Sequence, residues 1–128
     1  IVFVCICIVL SKAMSDDMKE LMDSLHKTCV SNVGVSEDLI TRAQKGDFAD
    51  DEGVKCYMRC VLDEVGVIED NGTLDIDGII GILPDEIKDD ISGTVKKCGV
   101  IVGANECETA YLFNKCSYED NPTLYSLP

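Results

Sequence analysis

Six cysteines, Cys29, Cys56, Cys60, Cys98, Cys107 and Cys116, divide most of the chain into the intervals C-x26-C-x3-C-x37-C-x8-C-x8-C. No other feature limits the fold as strongly. An even count in a short secreted chain reads as a disulfide framework. Cys56 and Cys60 would project from one helix face, where they are not expected to bridge each other, so each should anchor a different neighbour. That exclusion leaves most of the roughly 15 pairings of six cysteines open at the level of spacing. Zinc is the rival reading, because His26 and Cys29 with Cys56 and Cys60 compose a Cys3His set on paper. It would leave the outlying cysteines unpaired in an oxidising compartment, so no metal or other cofactor is expected. The absence of a C-x-x-C argues against thiol redox chemistry.

Two further cysteines, Cys5 and Cys7, sit in a segment of another kind. Ile1–Leu10, IVFVCICIVL, is unbroken apolar sequence followed by Ser11-Lys12-Ala13. This pattern reads as the apolar core of a secretory leader, with Ser11 at −3 and Ala13 at −1 of a cleavage site. Ten residues are too few to cross a bilayer as a helix. With neither an initiating Met nor a basic stretch before Ile1, residues 1–13 read as an N-terminally incomplete leader and are expected to be removed. The mature chain then begins near Met14 and folds as one domain, 14–128, without internal repeat or linker.

The formal charge of −13 and the pI near 4.2 exclude broad function classes. Nucleic-acid binding is driven by Lys and Arg on phosphate, and this chain has the opposite balance. Anionic membrane surfaces repel it. No residue constellation pairs a nucleophile with a base: there is one histidine, no G-x-S-x-G and no free thiol in the mature chain. A small hydrolase is thus disfavoured, and no enzyme activity is expected.

Helical periods dominate the remainder. Ser15-Asp16-Asp17 is a plausible helix start, followed by a stripe of Met18, Leu21, Met22, Leu25 and Cys29. A short second helix opens at Ser36-Glu37-Asp38 and stops at Lys45-Gly46. The third runs from about Asp51 to Val65, with Val54, Tyr57, Met58, Val61, Leu62 and Val65 on one face. Asp75 caps a fourth around Ile76, Ile79, Ile80 and Leu83. Pro84 opens a fifth carrying Ile87, Ile91, Val95 and Cys98. The sixth spans roughly Asn105 to Lys115, and the tail from Ser117 shows no helical pattern. Such short helices are marginal alone. Three bridges at about 3–4 kcal/mol each are a sensible remedy.

The cysteine intervals, the C-x3-C of KCYMRC, the C-x8-C of CETAYLFNKC and the GVIEDNGTLD stretch, on about six acidic helices behind a leader, resemble the insect odorant-binding proteins. The likeness covers essentially the whole mature chain. It implies an all-α, compact bundle of about six short helices, with three interlocked disulfides enclosing an apolar cavity. It also implies the pairings Cys29–Cys60, Cys56–Cys107 and Cys98–Cys116. The function it implies is that of a secreted carrier, taking a small apolar or amphipathic organic ligand through sensillar lymph or another secretion, with delivery to an olfactory receptor as a further step. It implies a monomer or weak homodimer. The competing class is a saposin-like protein acting on lipid or membranes, which also uses six cysteines. The acidic charge, the cysteine spacing and the lack of a basic amphipathic helix disfavour it, and no stable membrane insertion is expected.

On the carrier reading, candidate cavity lining is Leu21, Leu25, Met58, Leu62, Ile76, Ile79, Ile80, Leu83, Ile87, Ile91, Val95 and Leu112. A helical stripe does not separate cavity wall from packed interior, so each competes with an ordinary core role. Met58 is the better placed of the KCYMRC residues to touch a ligand, since methionine adapts to several shapes. Tyr111, Asn114 and Tyr125 are candidates for a polar contact that orients the ligand. The tail resembles those that lie over a pocket mouth as a lid, with Leu124, Tyr125 and Leu127 facing inward. Protonation of the many acids is expected to loosen it. His26, beside Lys27, reads as an ordinary partly exposed side chain rather than a switch. Asn71-Gly72-Thr73 has the form of a glycosylation sequon, although an Asn-Gly turn explains it as well. Asn121-Pro122-Thr123 is excluded by its proline. Asp75-Ile76-Asp77-Gly78 hints at a calcium loop, but Ile79 occupies a ligand position and rules it out.

Overall fold

A computed structural model describes the backbone from Val2 to Pro128 and the side chains from Asp16 onward. The leader expectation, with Cys5, Cys7, Ser11, Ala13 and Met14, falls outside the described side chains. Six helices follow in order: α1 Val2–Val33, α2 Glu37–Gln44, α3 Glu52–Glu64, α4 Ile76–Ile82, α5 Asp85–Cys98 and α6 Glu106–Asp120. Helix α1 passes through Ser15 without a break, so the helix start expected there is not formed in the full chain. The sixth helix runs to Asp120, one full turn beyond the expected end at Lys115.

Local sequence explains most boundaries. Asp51 Oδ1 accepts the Val54 N–H at 3.1 Å, Asp75 Oδ1 that of Gly78 at 3.0 Å and Asn105 Oδ1 that of Glu108 at 2.9 Å. Such caps contribute typically about 1 kcal/mol each. Ser36 precedes α2 but makes no side-chain cap bond. Gly46 ends the α2 turn at φ +89°, and the ring of Tyr118 fills the space where a Cβ would stand. Glycine is needed there both for the backbone and for the contact.

Helices α3 and α6 form the central pair. Helix α1 lies on α3, α5 on α6, and α4 on α5. Disulfides join Cys29 to Cys60, Cys56 to Cys107 and Cys98 to Cys116, with Cα–Cα distances of 5.7, 4.5 and 5.6 Å. These are the pairs that the family resemblance implies. Helix α3 is thus tied to α1 and α6 through two residues one turn apart. The apolar interior divides in two. The first cluster joins Cys29, Val35, Ile40, Val54, Tyr57, Met58, Val61, Ala110, Tyr111 and Leu127. The second joins Val67, Leu74, Ile79, Val95, Cys98 and Phe113. Helix α6 feeds both, since Ala110 and Tyr111 face one cluster and Phe113 the other.

Candidate functional site

A side chain packed on every side keeps no accessible surface, whereas one that borders solvent or a void keeps some. The expected lining residues differ in this respect. Met58 is 0% exposed and Val95 2%, so both are solid core in this structure. Helix α3 turns Met58 into contact with its neighbours in the first cluster. Leu21 is at the other extreme, 50% exposed, two turns before Cys29, where α1 is tied to α3. Ile79 and Leu127 are buried within the second and first clusters.

The other expected residues keep part of their surface. Leu25, Leu112 and Tyr125 fringe the first cluster, and Ile76, Ile80, Leu83 and Ile91 fringe the second. Leu62 packs against both, which places it at the seam between them. Ile87 and Leu124 are half-buried and belong to neither cluster. Incompletely packed aliphatic side chains thus fringe the first cluster from α1 and α6 and the second from α4 and α5, and Leu62 of α3 touches both.

The polar candidates are used more tightly than expected. Tyr111 donates its hydroxyl to the Phe48 carbonyl at 3.0 Å, and the Lys55 ammonium sits 5.1 Å above its ring. That hydroxyl proton holds the loop around Phe48 against α6. Asn114 is buried. Its Nδ2 donates to the Ala110 carbonyl at 2.8 Å, and its Oδ1 accepts the Tyr125 hydroxyl at 2.8 Å. Burial pushes the Tyr125 phenol up from its ordinary pKa, so it remains a donor. Asn114 and Tyr125 are thus brought together, and the pair clasps the tail to α6.

Further bonds seat the rest of the tail. Gln44 Nε2 donates to the Leu127 carbonyl at 3.2 Å, and the Tyr57 hydroxyl donates to the Pro128 carbonyl at 2.6 Å. His26 completes this corner. Its Nε2 lies 2.7 Å from Glu37 Oε2, and its Nδ1 is 3.0 Å from the Tyr57 hydroxyl and 3.4 Å from the Pro128 oxygen. The histidine read as an ordinary side chain therefore joins α1, α2, α3 and the tail.

Sequence reasoning missed Phe48 and Tyr118. Phe48 makes edge-on contacts with Tyr111, Tyr118 and Tyr125 at centroid distances of 6.3, 5.7 and 5.9 Å. It lies in an acidic connection with no period to flag it. Tyr118 was read as tail because α6 buries residues around much of its circumference, which erases a one-sided stripe. A surface recess of about 320 Å³ also exists, lined by Asn32, Val33, Cys56, Arg59, Cys60, Asp63, Glu64 and Cys107. It shares no residue with the expected lining, and its charged rim does not suit an apolar guest.

Residues 11–120 match the model of the PBP/GOBP family. General odorant-binding protein 69a of Drosophila melanogaster is 32% identical over 93 residues, covering 72% of this chain and 63% of that protein. The chain thus spans under two thirds of that fly protein. The B1 protein of Tenebrio molitor is 30% identical over 122 residues, covering 94% of this chain and 93% of its own. Odorant-binding protein 4 of Chrysopa pallens superposes with a TM-score of 0.80 at 31% identity, over 88% of this chain and 97% of that one. Odorant-binding protein 7 of Anopheles gambiae, solved with an azo compound, superposes with a TM-score of 0.78 at 28% identity, over 86% and 90% of the two chains. With the six helices, the three disulfides and these matches together, the chain belongs to the PBP/GOBP family, the insect odorant-binding proteins.

Proposed function

We infer that the protein is a carrier of small hydrophobic ligands, taken up along the boundary between the two apolar clusters and covered by the tail. The observation that carries this reading is incomplete coverage: Leu25 and Leu112 beside the first cluster, Ile80, Leu83 and Ile91 beside the second, and Leu62 beside both keep apolar surface that a guest can bury. At about 25 cal/mol per Å² of apolar surface, a ligand of roughly 10–20 heavy atoms reaches micromolar affinity without any covalent step. The azo compound bound by the mosquito relative is of a suitable kind. Family relatives are carriers, and the carrier reading needs no catalytic residue. Action outside the cell, in sensillar lymph or another secretion, accords with the family and with the leader-like residues 1–13, which we take to be removed. Delivery to a receptor and a monomer or weak dimer remain parts of the proposal. Among the described residues no helix is long and apolar enough to cross a membrane.

The test is displacement of a fluorescent apolar probe by alcohols, esters, terpenoids and fatty acids at two pH values. Saturable displacement without liposomes is expected. Binding that appears only with liposomes would favour the saposin-like alternative. Deleting Asn121–Pro128 is expected to weaken retention of the probe. Unchanged affinity would remove the tail from the mechanism.

A further inference from the structure

We propose that Asn71 carries an N-linked glycan. Asn71-Gly72-Thr73 satisfies the sequon, with glycine and not proline in the middle. The fold presents it at the tip of a projecting turn. An antiparallel bridge between Ile68 and Leu74 closes the base, with Glu69 N–H to the Thr73 carbonyl at 2.8 Å and Gly72 N–H to the Glu69 carbonyl at 2.9 Å. Val67 and Leu74 are buried below, while Glu69, Asp70 and Asn71 are exposed. A bulky group at the tip therefore meets solvent.

The division of labour within the Asn71 side chain is the stronger argument. Its Oδ1 accepts the Thr73 N–H at 3.1 Å and the Thr73 hydroxyl at 2.7 Å. Among the described residues, no hydrogen bond uses its Nδ2. A carboxamide has an acceptor oxygen and a separate donor nitrogen. Glycosylation takes only the nitrogen, so both turn bonds survive it. The Asn-Gly turn itself needs the side-chain bond to the backbone and a positive φ at Gly72, here +85°. It does not need a hydroxyl at the third position, yet Thr73 supplies one and aims it at Asn71.

The chemistry is a transfer catalysed by the host cell. Asn71 Nδ2 attacks the anomeric carbon of a lipid-pyrophosphate-linked oligosaccharide. The new C–N bond forms as the C–O bond to the pyrophosphate breaks, the lipid pyrophosphate leaves with the electron pair, and the nitrogen loses one proton. No oxidation occurs. The competing fate of an Asn-Gly step is deamidation, in which the Gly72 nitrogen attacks the Asn71 carboxamide carbon. Here the Gly72 N–H is held by the Glu69 carbonyl, which opposes that attack. Gly72 packs beside the Glu106 side chain, so the glycan decorates the start of α6, whereas the tail leaves from its other end. Ligand uptake is expected to be unaffected.

The inference rests on the reading that the protein is secreted, and the experiment separates the two. The whole chain is produced in insect cells in two versions, one led by its own N-terminal segment and one preceded by a secretory leader of known performance. Protein from the medium is weighed intact, before and after peptide-N-glycosidase A in ¹⁸O water. The expected result is a mass above that of the polypeptide, collapsing on digestion with the label at residue 71. Thr73→Ala should abolish it and Thr73→Ser should retain it, at unchanged probe affinity. Leader-driven protein at the bare polypeptide mass, or with only the small gain of deamidation, would overturn the proposal if a control glycoprotein from the same cells is modified. Failure of the first version alone to reach the medium, once it too is given an initiating Met and a basic stretch ahead of Ile1, would overturn the secretion reading, and the native modification with it.

Discussion

The two apolar clusters are held by different physics. Around the first, two disulfides span sequence separations of 31 and 51 residues, and directional bonds do the rest. Tyr125 to Asn114, Tyr57 to Pro128, Gln44 to Leu127, Tyr111 to Phe48 and His26 to Glu37 each fix a partner in one geometry. Around the second, one disulfide spans a separation of 18, and Thr94 and Lys97 hold Asp120 at 2.6 and 2.8 Å. Beyond these, α4 and α5 rest on aliphatic contact, with Ile76, Ile80, Leu83 and Ile91 incompletely covered. Apolar contact is non-directional and tolerates sliding; clasped polar groups do not. On the proposed carrier role, the difference would give closure to the tail side and accommodation of guest shape to the α4–α5 side.

The largest effects test whether the first half is the frame. Replacing Cys56 and Cys107 together by serine should cost about 4 kcal/mol, and replacing Cys98 and Cys116 about 3, because the first crosslink closes the longer loop. Urea unfolding of the non-reduced variants reads the difference, and an equal or reversed order would undo the comparison. Met58→Ala, at a fully buried site, should cost about 3 kcal/mol of stability while leaving probe affinity near that of the parent. Ile91→Ala, at a half-buried one, should cost about 1–2 kcal/mol and weaken the probe. If Met58→Ala proved the more damaging to binding, the seam would be in the wrong place. Tyr125→Phe leaves Asn114 Oδ1 buried without its donor and should cost about 1–3 kcal/mol, with faster probe release as its signature.

Much of the frame was legible because it is local. Aspartate and asparagine caps, the glycine after α2 and the proline before α5 mark helix ends by chemistry confined to a few residues. The cysteine intervals supplied the tertiary ties through the family likeness. The site was less legible because a stripe records which face is apolar, not how completely it is covered. Met58 and Leu62 share one face of α3, yet Met58 is packed solid while Leu62 keeps surface at the seam. His26 shows the same limit for polar groups. Its partners, Glu37, Tyr57 and Pro128, lie 11, 31 and 102 residues away, so no local pattern could announce them.

The smallest expected effect concerns acid, and it separates the halves most cleanly. Hydrogen bonds from Lys97 and Thr94 hold the Asp120 carboxyl below its usual range. A carboxylate depressed in the folded state adds stability that is present above its unfolded pKa and lost as pH falls through the folded one. The window therefore lies below the ordinary aspartate value of about 3.9. As Asp120 takes up a proton, the tie between α5 and the end of α6 loosens, while the tail clasps of Tyr125 on Asn114 and Gln44 on the Leu127 carbonyl contain no carboxylate to protonate. The effect should be modest, since Asp120 is exposed and salt screens it. Amide exchange across that window should show α5 losing protection before the tail does, and Asp120→Asn should remove the difference. Were the tail to open first, the polar clasps would be the acid-sensitive element, and the assignment of closure to one half and accommodation to the other would have to be exchanged.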